Sequence, residues 1–237
     1  MGTRSDIPGY LDNITYCVTN DGVSLAYAIT GAGFPIVKVE NWLSHVEYDW
    51  ESPIWARFLR LLTQNNTLLR YDERGNGLSD WDVSEFVFDR LLCDLESVID
   101  AAGFDKFILF GVSQDCTIAA AYAARHPERV VCQVLYGGYS RGWKKRNIPE
   151  EKEKRTAMTQ LVRIEWGENN PAFRRIFASL FVPDASIEQI EWYTDLQSKT
   201  TSGKNAAKME ARDLKAEAYY HFSSPPKRHE LPKADIV

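Results

Sequence analysis

The sequence lacks several features that would assign it to a membrane, metal-binding or nucleic-acid-binding class. No run of about 18 or more apolar residues occurs, so no membrane span is expected, and the first ten residues do not resemble a signal peptide. The net charge of -5 lacks the basic excess of nucleic-acid binders. The 4 cysteines stand singly, without metal-ligand spacing. We therefore expect a cytoplasmic protein with no metal, no nucleic acid and no membrane among its partners.

The 237 residues, 44% of them hydrophobic, are enough for one large domain with a sizeable core. The sequence predicts a helix that begins at Pro53 and, from its helical periodicity, another over 84–102. These helices lie between several apolar runs. These runs predict strands at 14–19, 23–30, 35–40, 67–72, 107–112 and 129–136. Strands that alternate with helices after an initial hairpin predict an α/β fold with a mostly parallel sheet flanked by helices. Functional sites of such sheets lie at the carboxyl ends of the strands.

The composition changes after residue 143, where charged and aromatic residues alternate without strand signals. We predict an α/β core over 1–143, a helical cap over 144–220 and a divergent tail over 221–237. The cap is expected to shape an apolar substrate pocket from Asn41, Trp166, Phe177 and Trp192. The alternative is that the aromatic residues simply pack the cap onto the core.

Ser113 lies between a buried strand and an alanine-rich helix, in the segment Gly111-Val112-Ser113-Gln114-Asp115. A sharp turn at this point would lift the hydroxyl out of the sheet. The start of the helix would offer free N–H groups and a positive dipole end to an oxyanion. Ser113 is therefore a candidate nucleophile, and the alternative is that it only caps the helix.

The segment around Ser113 resembles the G-x-S-x-G elbow of the α/β-hydrolases, with aspartate in place of the last glycine. Residues 72–79, Asp-Glu-Arg-Gly-Asn-Gly-Leu-Ser, are similar to the D-x-R-G-x-G-x-S segment of that superfamily. The segments 41–45, 47–51 and 136–139 resemble the branch found alone or fused to adenylate cyclases or LuxR-type regulators. The resemblance implies that Ser113 is the nucleophile and that no cofactor is needed. It also implies an oxyanion hole built from the backbone N–H of Gln114 and one N–H from the Trp42–Leu43 region.

The chain departs from the family pattern in its last part. The family places its acid after the seventh strand and its histidine after the eighth, and both positions are missing from this sequence. His45 is a candidate base in the oxyanion loop, His126 reads as structural, and His221 and His229 lie in the divergent tail. The missing strands would leave an exposed sheet edge, through which a homodimer could form. A charged Asp115 would also repel an oxyanion by about 2 kcal/mol.

Three hypotheses follow. The first is a serine hydrolase, impaired as the chain stands, that hydrolyses a small apolar ester or amide through Ser113. The second is a non-catalytic ligand-binding or regulatory domain of the same fold. The third is a truncated product of a longer hydrolase.

Overall fold

A computed structural model describes residues 14–139, 142–168 and 170–212 of the chain. Within them, the predicted strands all form, with bounds that differ from the predicted ones by no more than two residues. They are β1 (Ile14–Val18), β2 (Ser24–Thr30), β3 (Phe34–Lys38), β4 (Asn66–Tyr71), β5 (Phe107–Val112) and β6 (Val130–Tyr136). The predicted tail at 221–237, with His221 and His229, lies outside the described residues.

The six strands form one sheet in the order β1-β2-β4-β3-β5-β6. β1 and β2 form an antiparallel hairpin, and β2 also pairs antiparallel with β4. The remaining pairs, from β4 through β3 and β5 to β6, are parallel. The mostly parallel α/β sheet predicted from the sequence is thus confirmed, and the loops after β3, β4, β5 and β6 open at one edge.

Three helices lie between the strands: α1 (Ala56–Thr63), α2 (Phe88–Ala102) and α3 (Cys116–Arg125). Alternate strand residues face opposite sides of the sheet. Val37 and Val39 belong to a cluster with α2 and α3, whereas Ile36 packs with Leu59 of α1 on the other side. Helices therefore cover both faces, as the apolar strands require.

The first helix begins later than predicted, at Ala56 rather than Pro53. Ser52 Oγ accepts hydrogen bonds from the N–H groups of Ile54 and Trp55 at 3.1 and 3.0 Å. These bonds stabilise a turn before the helix, so the Ser-Pro pair precedes the helix without being part of it.

In the described part of the chain, four α-helices follow β6: α4 (Pro149–Glu165), α5 (Pro171–Phe181), α6 (Ile187–Thr200) and α7 (Gly203–Ala211). α4 packs on α7 and α5 on α6. Ser186 and Gln189 form a capping box at the start of α6. Within the described segments, none of the helices is both long and apolar enough to cross a membrane.

β6 lies at one edge of the sheet and pairs only with β5 in the part of the chain that the structure describes. Val131, Val134, Leu135 and Tyr136 of this strand are exposed. Association of two chains through this edge stays a prediction, as does the cytoplasmic location.

Candidate active site

Ser113 occupies the sharp turn between β5 and α3. Its φ of 58° is in the left-handed region, its side chain is exposed, and a short 3-10 turn over Ser113–Asp115 leads into α3. Positive φ is uncommon for a residue other than glycine and marks a strained position. The turn therefore has the geometry of an elbow that presents a serine hydroxyl at the sheet edge.

Two glycines allow the backbone to pass close to this turn. A Cβ on Gly111 would lie 3.1 Å from the Ala119 Cβ and from the Cys116 Cα. A Cβ on Gly138, in the loop after β6, would lie 2.7 Å from the Cys116 Cβ. The first turn of α3 is thus wedged between the end of β5 and the loop after β6.

Ser113 opens into a cavity of about 740 Å³. The loops after β3 and β6, helix α1 and parts of the helical segment 149–211 form its walls. The residues that line it and bear on the chemistry are Lys38, Glu40, Asn41, Trp42, Leu43, Ser44, Asp49, Trp55, Phe58, Arg70, Phe110, Ser113, Gln114, Tyr136, Tyr139, Phe181, Tyr193 and Arg212. The predicted residues Asn41, Trp42, Leu43, Ser113 and Gln114 are therefore brought to one cavity.

The loop after β3 has an unusual backbone at Leu43, whose φ is 65°. The Leu43 N–H donates a hydrogen bond to Oδ1 of the fully buried Asn76 at 3.3 Å. Asn76 in turn contacts the Met209 sulfur of α7 at 3.6 Å. In this arrangement the Leu43 N–H is already occupied, which leaves the Trp42 N–H as the donor to consider in the predicted pair.

The predicted pocket residues Trp166, Phe177 and Trp192 lie elsewhere. They are buried in an apolar cluster and are not among the residues that line the cavity. Trp42 stacks on Trp166 with ring centroids 5.8 Å apart, and Trp192 stacks on Tyr48 at 5.3 Å. These aromatic residues attach the helical segment to the loop after β3, which is the packing role considered above, while Phe181 does reach the cavity.

His45 is buried and does not line the cavity. Its Nδ1 accepts hydrogen bonds from the N–H groups of Glu47 and Tyr48 at 3.3 and 3.1 Å. Burial, followed by the charges of Arg70 and Lys199, lowers its pKa to about 4. This arrangement stabilises the loop with a neutral imidazole and gives no support to a role as base.

His126 lies at the end of α3, where its Nε2 is 3.0 Å from Glu96 and its ring contacts Tyr122. These contacts agree with the structural role expected for it. In the described segments, no histidine lines the cavity.

Asp115 follows the elbow and is buried, with Oδ2 lacking a hydrogen-bond partner among the described residues. Burial, followed by the charge of Glu73, raises its pKa well above the ordinary value. A neutral carboxyl would not exert the electrostatic repulsion expected for a charged one. Nearby, Arg212 at the end of α7 forms a two-contact ion pair with Glu73.

None of the charged residues that line the cavity was predicted from the sequence, and four of them, Lys38, Glu40, Asp49 and Arg70, form one group. Burial raises the pKa of Glu40, but Arg70 and Lys38 together bring it below its ordinary value. Burial also raises the pKa of Asp49, against the opposing charge of Arg70. The sequence did contain one indication of them, because Lys38 and Glu40 place charges at alternate positions of a predicted buried strand.

A strained serine at the end of a parallel strand, next to a helix and a cavity, agrees with the family match. The family model for the alpha/beta hydrolase fold matches residues 45–186, which include Ser113. The chain belongs to the α/β-hydrolase family. The narrower resemblance to domains fused to adenylate cyclases or LuxR-type regulators stays a prediction.

The chain is also similar to individual members of the family. It is 28% identical over 111 residues to a Caulobacter segnis protein provisionally named carbamate hydrolase RutD. This match covers 46% of the chain and 42% of the relative, so the chain matches less than half of that protein's length.

Solved structures show the same fold. An esterase from Exiguobacterium antarcticum superposes with a TM-score of 0.65 at 20% identity, covering 84% of this chain and 74% of the esterase. A bromoperoxidase from Bacillus anthracis gives 0.67 at 18%, with 84% and 73% covered. An enol-lactonase from Burkholderia xenovorans gives 0.59 at 21%, with 86% and 76% covered.

Proposed function

We propose that this chain is a serine hydrolase that transfers an acyl group from an ester to water through Ser113. The observation that carries the proposal is the positive φ of the exposed Ser113, which lines the cavity. The esterase, carbamate hydrolase and enol-lactonase named among its relatives all support acyl transfer to water as the reaction class.

In the proposed reaction, Ser113 Oγ attacks the ester carbonyl carbon and loses its proton to a base. The carbonyl oxygen becomes an oxyanion, which the N–H of Gln114 and the N–H of Trp42 would stabilise. The bond to the leaving alcohol then breaks, and the alcohol takes up a proton. Water attacks the resulting acyl-enzyme in the same way, which releases the acid and restores Ser113.

Within the described residues no histidine lines the cavity, so this part of the chain offers Ser113 no imidazole base there. An active site without its base retains about 10³–10⁴-fold acceleration over water, from the oxyanion hole and substrate binding. We therefore propose slow turnover. Aromatic walls that include Trp55, Phe58 and Phe181 favour a small, largely apolar acyl group.

The lack of a histidine in the cavity wall, among the described residues, favours a second candidate function. This candidate is a ligand-binding domain that retains the cavity without catalysis. The two candidates differ in one measurable property, which is whether Ser113 is activated as a nucleophile. A ligand-binding domain would gain thermal stability from a bound ester without hydrolysing it.

The experiment is intact-mass analysis after treatment with a small fluorophosphonate. A nucleophilic serine displaces fluoride from phosphorus, so one adduct is expected on the wild-type chain and none on Ser113→Ala. Ser198→Ala is the matched control, because Ser198 lies on α6 and its hydroxyl bonds Asp195 outside the cavity. An adduct that persists in Ser113→Ala, or none on the folded wild type, would contradict the hydrolase proposal.

A further inference from the structure

A charged network forms one wall of the cavity that contains Ser113. Arg70 Nε donates to Glu40 at 2.8 Å, and Arg70 Nη2 donates to Asp49 at 2.5 Å. Lys38 completes the network through an ion pair with Glu40. All four side chains are largely buried, and all four residues line the cavity.

The sheet register explains why these charges meet beside the elbow. β3 and β4 are parallel, with Val37 opposite Leu69, so Lys38 and Arg70 are neighbours one residue further along. Lys38 is also opposite Phe110 of β5. Neighbouring residues on parallel strands point to the same face, and the strand that carries Phe110 ends at the turn that carries Ser113.

Three polar atoms of this wall have no hydrogen-bond partner among the described residues. They are Nη1 of Arg70, Oδ1 of Asp49 and Oγ of Ser44. The three residues are 3%, 5% and 3% exposed, and each of them lines the cavity. An unpaired buried polar group costs about 1–3 kcal/mol, so a ligand that satisfied these atoms would gain affinity.

The charges of the wall restrict what that ligand can be. Within this wall, Lys38 and Arg70 balance Glu40 and Asp49, so neither a carboxylate nor an ammonium group would gain a net attraction that offsets the loss of its hydration. Arg70 Nη1 can only donate, ionised Asp49 Oδ1 can only accept, and the Ser44 hydroxyl can do both. The matching ligand group is neutral and carries a donor and an acceptor together.

We propose that this wall, Ser44 with Asp49 and Arg70, is a subsite for a neutral amide group at the end of the substrate's acyl chain. The amide carbonyl would accept from Arg70, and the two amide N–H groups would donate to Asp49 and to the Ser44 hydroxyl. The inference rests on the proposed hydrolase and deepens it, because the amide would bind in the same cavity as the ester that Ser113 attacks. The substrate class is then an ester with a primary amide or carbamate at the far end of its acyl chain.

The test uses the Ser113→Ala chain, so that binding is measured without turnover. Four ligands that share a five-carbon alkyl tail are titrated by calorimetry: hexanamide, hexanoate, 2-heptanone and hexylammonium, the last with one additional methylene. Hexanamide should bind at least about tenfold more tightly than 2-heptanone and hexanoate, because neither can make the two N–H hydrogen bonds, which contribute about 1 kcal/mol each. It should bind about fivefold more tightly than hexylammonium, which lacks the carbonyl acceptor. Equal binding of hexanamide and 2-heptanone would overturn the proposal, because the ketone cannot donate.

Ser44→Ala removes one hydroxyl and leaves the four charges intact. It should weaken hexanamide binding about fivefold and leave 2-heptanone unchanged. Tyr139→Phe is the matched control, because it removes a hydroxyl from a part of the cavity wall outside the charged network. If both variants weakened hexanamide equally, the preference would not arise at the proposed subsite.

Fluorophosphonate labelling of the wild type separates this inference from the proposed function. Labelling without an amide preference would retain the hydrolase and reject the subsite. An amide preference without labelling would retain the subsite and reject the hydrolase.

Discussion

The carboxylate of Asp72 accepts the N–H of Val46 at 2.8 Å and thereby joins the loop after β4 to the loop after β3. Its second oxygen accepts the N–H of Leu78, also at 2.8 Å. Both loops lie at the carboxyl edge of the sheet. The D-x-R-G-x-G-x-S segment, residues 72–79, thus stabilises the loop that carries Trp42 and Leu43.

Gly77→Ala should destabilise the protein by about 3 kcal/mol or more. Gly77 has a φ of 51°, and a Cβ would lie only 2.1 Å from Asp72 Oδ2. Gly22→Ala is the matched control, because its φ is 85° and nothing lies within 4 Å of the added Cβ. It should cost about 1 kcal/mol. Urea unfolding measures the free energy of unfolding of both variants. Equal destabilisation would show that the Asp72 carboxylate does not exclude a side chain at position 77.

His45 should make stability depend on pH between about 4 and 6.5. Its pKa is lowered from 6.5 to about 4 in the folded chain, chiefly by burial. The unfolded chain therefore binds more protons in this window, so stability is full above it and falls as the pH drops towards 4. The loss amounts to about 3 kcal/mol.

The measurement is urea unfolding of the wild type and of His45→Asn at several pH values. Asparagine keeps an acceptor for the N–H groups of Glu47 and Tyr48 but does not titrate. The variant should lose the part of the pH slope that arises between about 4 and 6.5. An unchanged slope would mean that His45 is not the titrating group.

Asp115 should make the pH dependence of stability opposite in sign to that of His45. Its pKa is raised by burial well above 3.8, so above this pH the folded chain binds the extra proton. Stability then falls as the pH rises from 3.8 to the folded pKa, by up to about 1.4 kcal/mol per pH unit. Asp115→Asn cannot ionise and should become progressively more stable than the wild type over this range.

The difference in stability between Asp115→Asn and the wild type should become smaller as the pH falls and stop changing below about 3.8. Asp82→Asn, which removes an exposed carboxylate, controls for the general effect of net charge. A constant difference between Asp115→Asn and the wild type at all pH values would reject an ionisation effect.

The sequence by itself determined the strands, the order of the core helices and the position of Ser113. These depend on local patterns: apolar runs of strand length, helical periodicity at 84–102, and glycine before a serine at the end of a strand. Such patterns indicate which residues of a strand or helix are buried. They do not determine which strands and helices contact one another.

The tertiary structure decided how the site is completed. Trp166, Phe177 and Trp192 have the composition of pocket residues, yet they pack against Trp42 and Tyr48. Asn76 accepts the Leu43 N–H although the two residues are 33 positions apart in the sequence. Arg70 pairs with Glu40, which is 30 positions away. The contacts arise because parallel strands bring distant segments into register at one sheet edge. The choice among possible neighbours depends on packing and charge in three dimensions.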